Sequence, residues 1–306
     1  MKKTNMAKVY SGAVLYSIIT GLSFLFGKLG LDHSSPLDLL AYRFTAAFLA
    51  TLVPLVFGWV KLDINKNMIK KILPLAIFNP LLFFGFQAFG LDLTLSSEAG
   101  IILAVGPVFT MILASYFLKE RTTSLQKISI LVSVFGVIYI TVMKSSSIEF
   151  ENMKGIIFLL ISTLSLAIYS VMARKLTRDF SSMELSYVMI GISFISFNIL
   201  AIGKHAIDGD IASFISPLGH VNFIIAILYL GILSSFLTSY LSNYVLSKVE
   251  SYKMSVFTNL ATVISVIAGV VFLNEDISYF HIIGSALIIV GVIGANFFGA
   301  KAKGDI

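Results

Sequence analysis

Apolar residues run in ten stretches, each closed by charged residues or by Pro and Gly. A helix that crosses a bilayer needs about 20 predominantly apolar residues. The pattern therefore predicts spans at 9–27, 36–59, 72–91, 97–118, 124–143, 154–173, 183–203, 221–246, 253–273 and 278–299. Only a few residues separate the third from the fourth and the ninth from the tenth, which forces antiparallel helical hairpins. The opening Met1-Lys2-Lys3 followed by an apolar run imitates a signal peptide. The run from Val9 to Gly27 is too long for that and has no Ala-x-Ala exit, so it reads as an uncleaved first span.

Composition narrows the class. The chain is 57% hydrophobic and 12% charged, against about 25% charged in average proteins, and its mean hydropathy is +0.94. A soluble enzyme, a disordered chain and a nucleic-acid binder are excluded, which leaves an all-α membrane protein without room for a soluble domain. The net charge of +6 matters through its placement. Of the 22 Lys and Arg residues, Arg43 lies inside a span and Lys28, Lys144, Lys154 and Lys204 lie in odd-numbered connections. The other seventeen sit at the termini and in even-numbered connections. Basic residues of short loops stay on the cytoplasmic side, so both termini are expected in the cytoplasm and the chain in the cell membrane. The absence of cysteine removes disulfides, thiolate catalysis and Cys-type zinc sites.

The chain also repeats itself. A shift of 155 positions brings Phe117-Leu118-x-Glu120 onto Phe272-Leu273-x-Glu275, and Gly136-Val137-Ile138 onto Gly291-Val292-Ile293, without a gap. Each half contains five spans. An odd number sends the second copy into the membrane from the opposite side, an inverted-topology repeat typical of secondary transporters that alternate access to a midplane site. The halves are expected at residues 10–143 and 154–299.

These residues carry a resemblance. With Pro36, Tyr42 and Arg43 opening the second span, Gly106-Pro107 in the fourth, Gln126, and Gly284 before Gly291, the chain resembles the ten-span drug/metabolite transporters with two EamA domains. The resemblance covers nearly the whole chain and implies a fold and transport activity. It leaves the substrate open among amino acids, nucleotide precursors, sugars and drugs. The first span lacks a carboxylate, so the coupling glutamate of the small multidrug exporters is not carried over.

Polar groups at membrane depth are costly and mark candidate sites. Arg43 either binds an anionic group or a coupling carboxylate, or ties helices together through backbone carbonyls. Glu98 opens the fourth span, where a carboxylate favours the helix start or titrates toward the outer vestibule. Its repeat mate is Lys253. Glu120 and Glu275 each stand between a span end and the Ser or Thr that begins the next, which suits a turn-organising role. Asn79 precedes Pro80, which opens the third helix. With Gln87, Tyr169, Tyr240, Asn243 and Asn259 it forms a candidate cavity lining, for which interhelical hydrogen bonding is the competing explanation. Tyr16, Phe24 and the Phe-rich third span either stack on a planar solute or pack. Gly291, Ala295 and Gly299 form a small-residue ridge that permits close packing within the chain or between two copies. Gly21 to Lys28 lacks the spacing of a phosphate loop, and the histidines at 33, 205, 220 and 281 show no metal spacing. No cofactor or metal is expected.

Three functions compete. A secondary transporter that exports small metabolites or drugs on a proton or other ion gradient fits best. An uncoupled facilitator differs only in lacking coupling, and a pH-gradient flux assay separates the two. A membrane-embedded enzyme needs clustered carboxylates or a His/Asp set at one interface, whereas the aspartates are spread singly over both sides.

Overall fold

The computed structural model describes residues 6–60, 62, 64–93, 102–144, 153–273 and 277–301. The ten apolar runs become ten helices. They are α1 (Met6–Leu31), α2 (Pro36–Val56), α3 (Lys66–Leu93), α4 (Gly106–Phe117), α5 (Ser124–Lys144), α6 (Met153–Leu176), α7 (Ser182–Asp208), α8 (Val221–Leu246), α9 (Ser251–Leu273) and α10 (Tyr279–Lys301). Among the described residues nine helices are long and apolar enough to cross a membrane, and the stretch Ile102–Phe117 that contains α4 is a shorter apolar helix. Glu98 and Glu275 lie outside the described residues.

Helix starts follow local chemistry. Ser35 caps α2, with Pro36 as its first residue and Asp38 in its first turn. Ser181 and Glu184 form a reciprocal capping box at α7. A serine or aspartate cap satisfies amide donors that a helix start leaves free. α3 and α8 are not continuous. Residues Ile77–Leu82 and Tyr229–Leu237 widen to π-type turns, and Asn79 leaves helical geometry altogether, at φ −143° and ψ 122°. Proline at position 80 removes an amide donor, which accounts for the break in α3. No proline lies in the widened turn of α8.

The packing obeys a two-fold exchange of halves. α5 lies along α10, α2 along α7 and α4 along α9, while α1 on α9 is matched by α6 on α4. α3 on α6 is likewise matched by α8 on α1. The exchange holds at single residues. A Cβ on Gly136 would meet Gly284 and Ile288, and one on Gly291 would meet Ser129 and Ser133. A shift of 155 turns the first set into the second. Similarly, the Thr123 amide donates to Gln126 Oε1 and the Ser278 amide to His281 Nδ1. With five helices in each half, mates run in opposite directions.

The small-residue ridge of α10 is used inside the chain. Gly291 faces the backbone of α5, and buried Ala295 receives a hydrogen bond on its carbonyl from Gln126 Nε2 at 3.0 Å. The other face of α10 shows Ile282, Val290, Ile293 and Phe297. A dimer through α10 would use that face.

Candidate functional site

The interior carries an unusual number of hydroxyl groups. On α8, Ser234, Ser235, Thr238, Ser242 and Asn243 are all buried, and three- and four-residue spacing places them on one side of the helix. Asn243 is fully enclosed. Its Nδ2 donates to Ser186 Oγ of α7 at 3.0 Å, and its Oδ1 accepts from the Tyr169 hydroxyl of α6 at 3.1 Å. One amide therefore joins three helices. Tyr169 also lies 3.5 Å from Ser242 Oγ.

Toward the end of the bundle opposite the termini, Arg43 of α2 reaches the widened turn of α8. Its Nε donates to Ser235 Oγ at 2.6 Å and its Nη2 to the Ser234 carbonyl at 2.9 Å. The guanidinium stacks 4.4 Å above the ring of Phe84 on α3. Both broken helices thus meet this arginine. The arrangement ties helices through a backbone carbonyl and spreads the charge over an aromatic face, which lowers the cost of holding it at depth.

The remaining candidates divide. Asn259 of α9 is buried, but its Nδ2 donates 2.8 Å to Ser133 Oγ of α5, so its partner is not the Asn243 group. Tyr240 is half-buried and stacks on Tyr244 at 6.1 Å. Asn79 and Gln87 are half-buried on α3. Phe86 and Phe89 line a depression with Leu81, Leu82 and Gly85, and both rings stand against Phe158 of α6, so that part of the aromatic stripe packs. Tyr16 packs against the main apolar core, and the Phe24 side chain is outside the described set.

At the end that holds the termini, Glu120 does more than organise its own turn. Its carboxylate accepts from the Ser251 amide at 3.0 Å, at the first residue of α9, and stands 3.7 Å from Arg174 Nε of α6. Arg174 Nη1 donates to the Leu246 carbonyl that closes α8, at 2.6 Å. Burial pushes the Glu120 carboxyl above its ordinary value, opposed by the Ser251 amide and the Arg174 guanidinium. Beside it, Gln126 Nε2 donates to the Tyr252 hydroxyl at 2.8 Å. Sequence reading placed Glu120 within a local turn and missed its partners, which lie more than 50 residues away along the chain.

The reading also missed a buried pair at the opposite end. Asp38 of α2 and His205 of α7 stand 3.0 Å apart. Asp38 was read only as one of the scattered aspartates, and its histidine partner lies 167 positions on.

Comparison with known proteins agrees with this architecture. The model of the EamA-like transporter family matches twice, at residues 7–142 and 153–297. The uncharacterized transporter YcxC of Bacillus subtilis (strain 168) is 48% identical over 97% of this chain and 95% of its own. A protein of Escherichia coli (strain K12) named "Probable amino-acid metabolite efflux pump" is 22% identical over 94% of each chain. A protein crystal structure superposes with a TM-score of 0.80 at 17% identity, over 97% of this chain and 99% of that one, a likeness of fold. Two family matches, nearly end to end on ten apolar helices, make this a multi-pass membrane protein and a transporter: the chain belongs to the EamA-like transporter family.

Proposed function

We propose that the chain is a secondary active exporter of small metabolites, amino acids or similar compounds, or of drugs, working by alternating access between its inverted halves in the cell membrane. The observation that carries this reading is the exchange symmetry down to single residues, with the two broken helices α3 and α8 at matching places. Each half can take up the packing of its mate, which exchanges the open side. The name of the Escherichia coli relative supports export of amino-acid metabolites. The substrate path runs between α1, α3 and α4 and their mates α6, α8 and α9, with Asn79, Gln87, Tyr169, Tyr240 and Asn243 as its candidate wall. Asn259, bonded to α5, stands at its margin. Arg43 and Glu98 are the candidates for ion coupling.

The test is flux in proteoliposomes under an imposed pH gradient. Accumulation of a metabolite against its own gradient is expected. Flux that only equilibrates concentrations would identify an uncoupled facilitator instead. Orientation follows from the charge bias, so reporter fusions at Lys66 and Ser147 are expected to report the cytoplasm and the outside respectively. Matching signals from the two positions would overturn the ten-span topology with cytoplasmic termini.

A further inference from the structure

Among the described residues, the second half carries a short helical connection between α7 and α8 that the first half does not show between α2 and α3. The serine caps of α2 and α7 are 146 positions apart (Ser35 and Ser181), while later mates such as Gly136 and Gly291 are 155 apart, a difference of nine. Six of these lengthen α7, which has 27 residues against 21 in α2, and three lengthen the connection from α7 to α8. That connection folds into a short helix, Ile211–Ile215, and a further turn, Ser216–Gly219. This strap crosses onto the other half. The Tyr42 hydroxyl of α2 donates to the Phe214 carbonyl at 2.5 Å, and the two rings stack at 4.8 Å.

Beneath the strap lies the Asp38–His205 pair. His205 Nδ1 is 2.9 Å from the Asp210 carbonyl, and Nε2 is 3.0 Å from Asp38 Oδ1. The other Asp38 oxygen accepts from Ser35 Oγ at 2.6 Å. A carbonyl oxygen only accepts, so Nδ1 carries a hydrogen. One more proton must then lie between Nε2 and Asp38, on either atom. Without it the Nε2 lone pair would face a carboxylate in a site where Asp38 is 4% exposed, and two acceptors at that distance repel.

We propose that Asp38 and His205 form a proton-binding clamp between the two halves, which holds the strap over the mouth of the transport path and releases it when the proton leaves. This rests on the transport reading above. The charged and titratable surroundings come from each neighbouring element. Lys204 and Asp208 flank His205 on α7, Tyr42 stands on α2, and Asp32 and His33 lie in the link from α1. His220 ends the strap with its ring stacked on His33 at 4.3 Å. Asp210 is bonded to the Ser213 hydroxyl and amide, which hold its carboxyl below the ordinary range. Its negative charge favours the bound proton, and the Lys204 charge opposes it. The sign follows: a proton held more tightly in the clamped state keeps the clamp closed at low pH, and the clamp opens as pH rises.

The native chain contains no cysteine, so reporter pairs can be introduced without background. Spin labels on cysteines replacing Leu49 of α2 and Leu218 of the strap, both exposed, give the distance between the halves in nanodiscs. The ratio of long to short distances is expected to rise by up to about tenfold per pH unit while the proton leaves, the limit that linkage to one proton sets. His205→Gln and Asp38→Asn should each abolish that dependence. In the full-length protein, carbon-13 labelling of the histidine ring should show His205 losing its proton over the same pH range as the distance change. Either variant retaining the wild-type pH dependence, or a His205 titration that does not track the distance, overturns the clamp. The distance measurement needs no substrate. A titrating clamp without flux would therefore refute the transport reading alone, and flux with a pH-independent distance would refute the clamp alone.

Discussion

Gly291→Val is expected to leave little folded protein, and even Gly291→Ala to lower stability sharply. A Cβ at position 291 would stand 2.6 Å from the Ser129 carbonyl oxygen, from Ser133 Cβ and from the Ser133 amide nitrogen. Two of these atoms are backbone of α5 and cannot rotate away. The mate, Gly136, is nearly as tight: its Cβ would meet the Gly284 carbonyl at 2.8 Å and the Ile288 amide at 3.0 Å. Overpacking an ordinary core costs about 1–3 kcal/mol, and here α5 and α10 must separate as rigid bodies. The loss is therefore placed at about 3 kcal/mol or more, enough to collapse the monodisperse peak in size-exclusion chromatography. Val290→Ala, one position away on a side chain 63% exposed, is the control and should leave the peak intact. Normal yield from Gly291→Val would show that α5 and α10 can part without unfolding the protein.

The same two glycines show what a sequence alone conveys about this fold. Their shared spacing exposed the repeat, and the repeat fixes which helices are mates. Apolar runs located all ten helices because a bilayer-spanning segment is a one-dimensional property of length and hydropathy. Partner choice is not one-dimensional. Asn243 and Asn259 are the same residue type on adjacent helices, yet one joins Tyr169 and Ser186 while the other binds Ser133. Nothing local separates them, since either amide satisfies its needs wherever facing hydroxyls happen to stand. Asp38 is similar. The sequence shows it only as a lone aspartate, yet one of its oxygens accepts from Ser35 in the first turn of α2 and the other faces His205 across the interface between the halves. Arg43 was readable as either a ligand group or a helix tie, and its contacts with the Ser234 carbonyl and the Phe84 ring give the tie its geometry.

Glu120→Gln is expected to reduce the amount of folded protein several-fold while leaving substrate preference per folded molecule unchanged. A glutamine keeps an acceptor for the Ser251 amide but offers no charge to Arg174, which stays fixed by the Leu246 carbonyl. The side chains of Arg174 and Glu120 are only 18% and 10% exposed. Removing one partner of a buried ion pair costs about 3–5 kcal/mol, and the residual exposure and the 3.7 Å separation place this one at the lower end, near 3 kcal/mol. The direction of the Glu120 shift sharpens the expectation. Burial and the neighbouring Glu250 outweigh the help of Ser251 and Arg174, and the damage comes from orphaning the arginine. Glu120→Gln with Arg174→Gln should accordingly recover part of the loss, with a coupling of about 0.5–3 kcal/mol. Thermal stability and flux per folded molecule are the two readouts. A normally abundant Glu120→Gln protein with an altered substrate range would move Glu120 from the anchor of α6, α8 and α9 into the transport path itself.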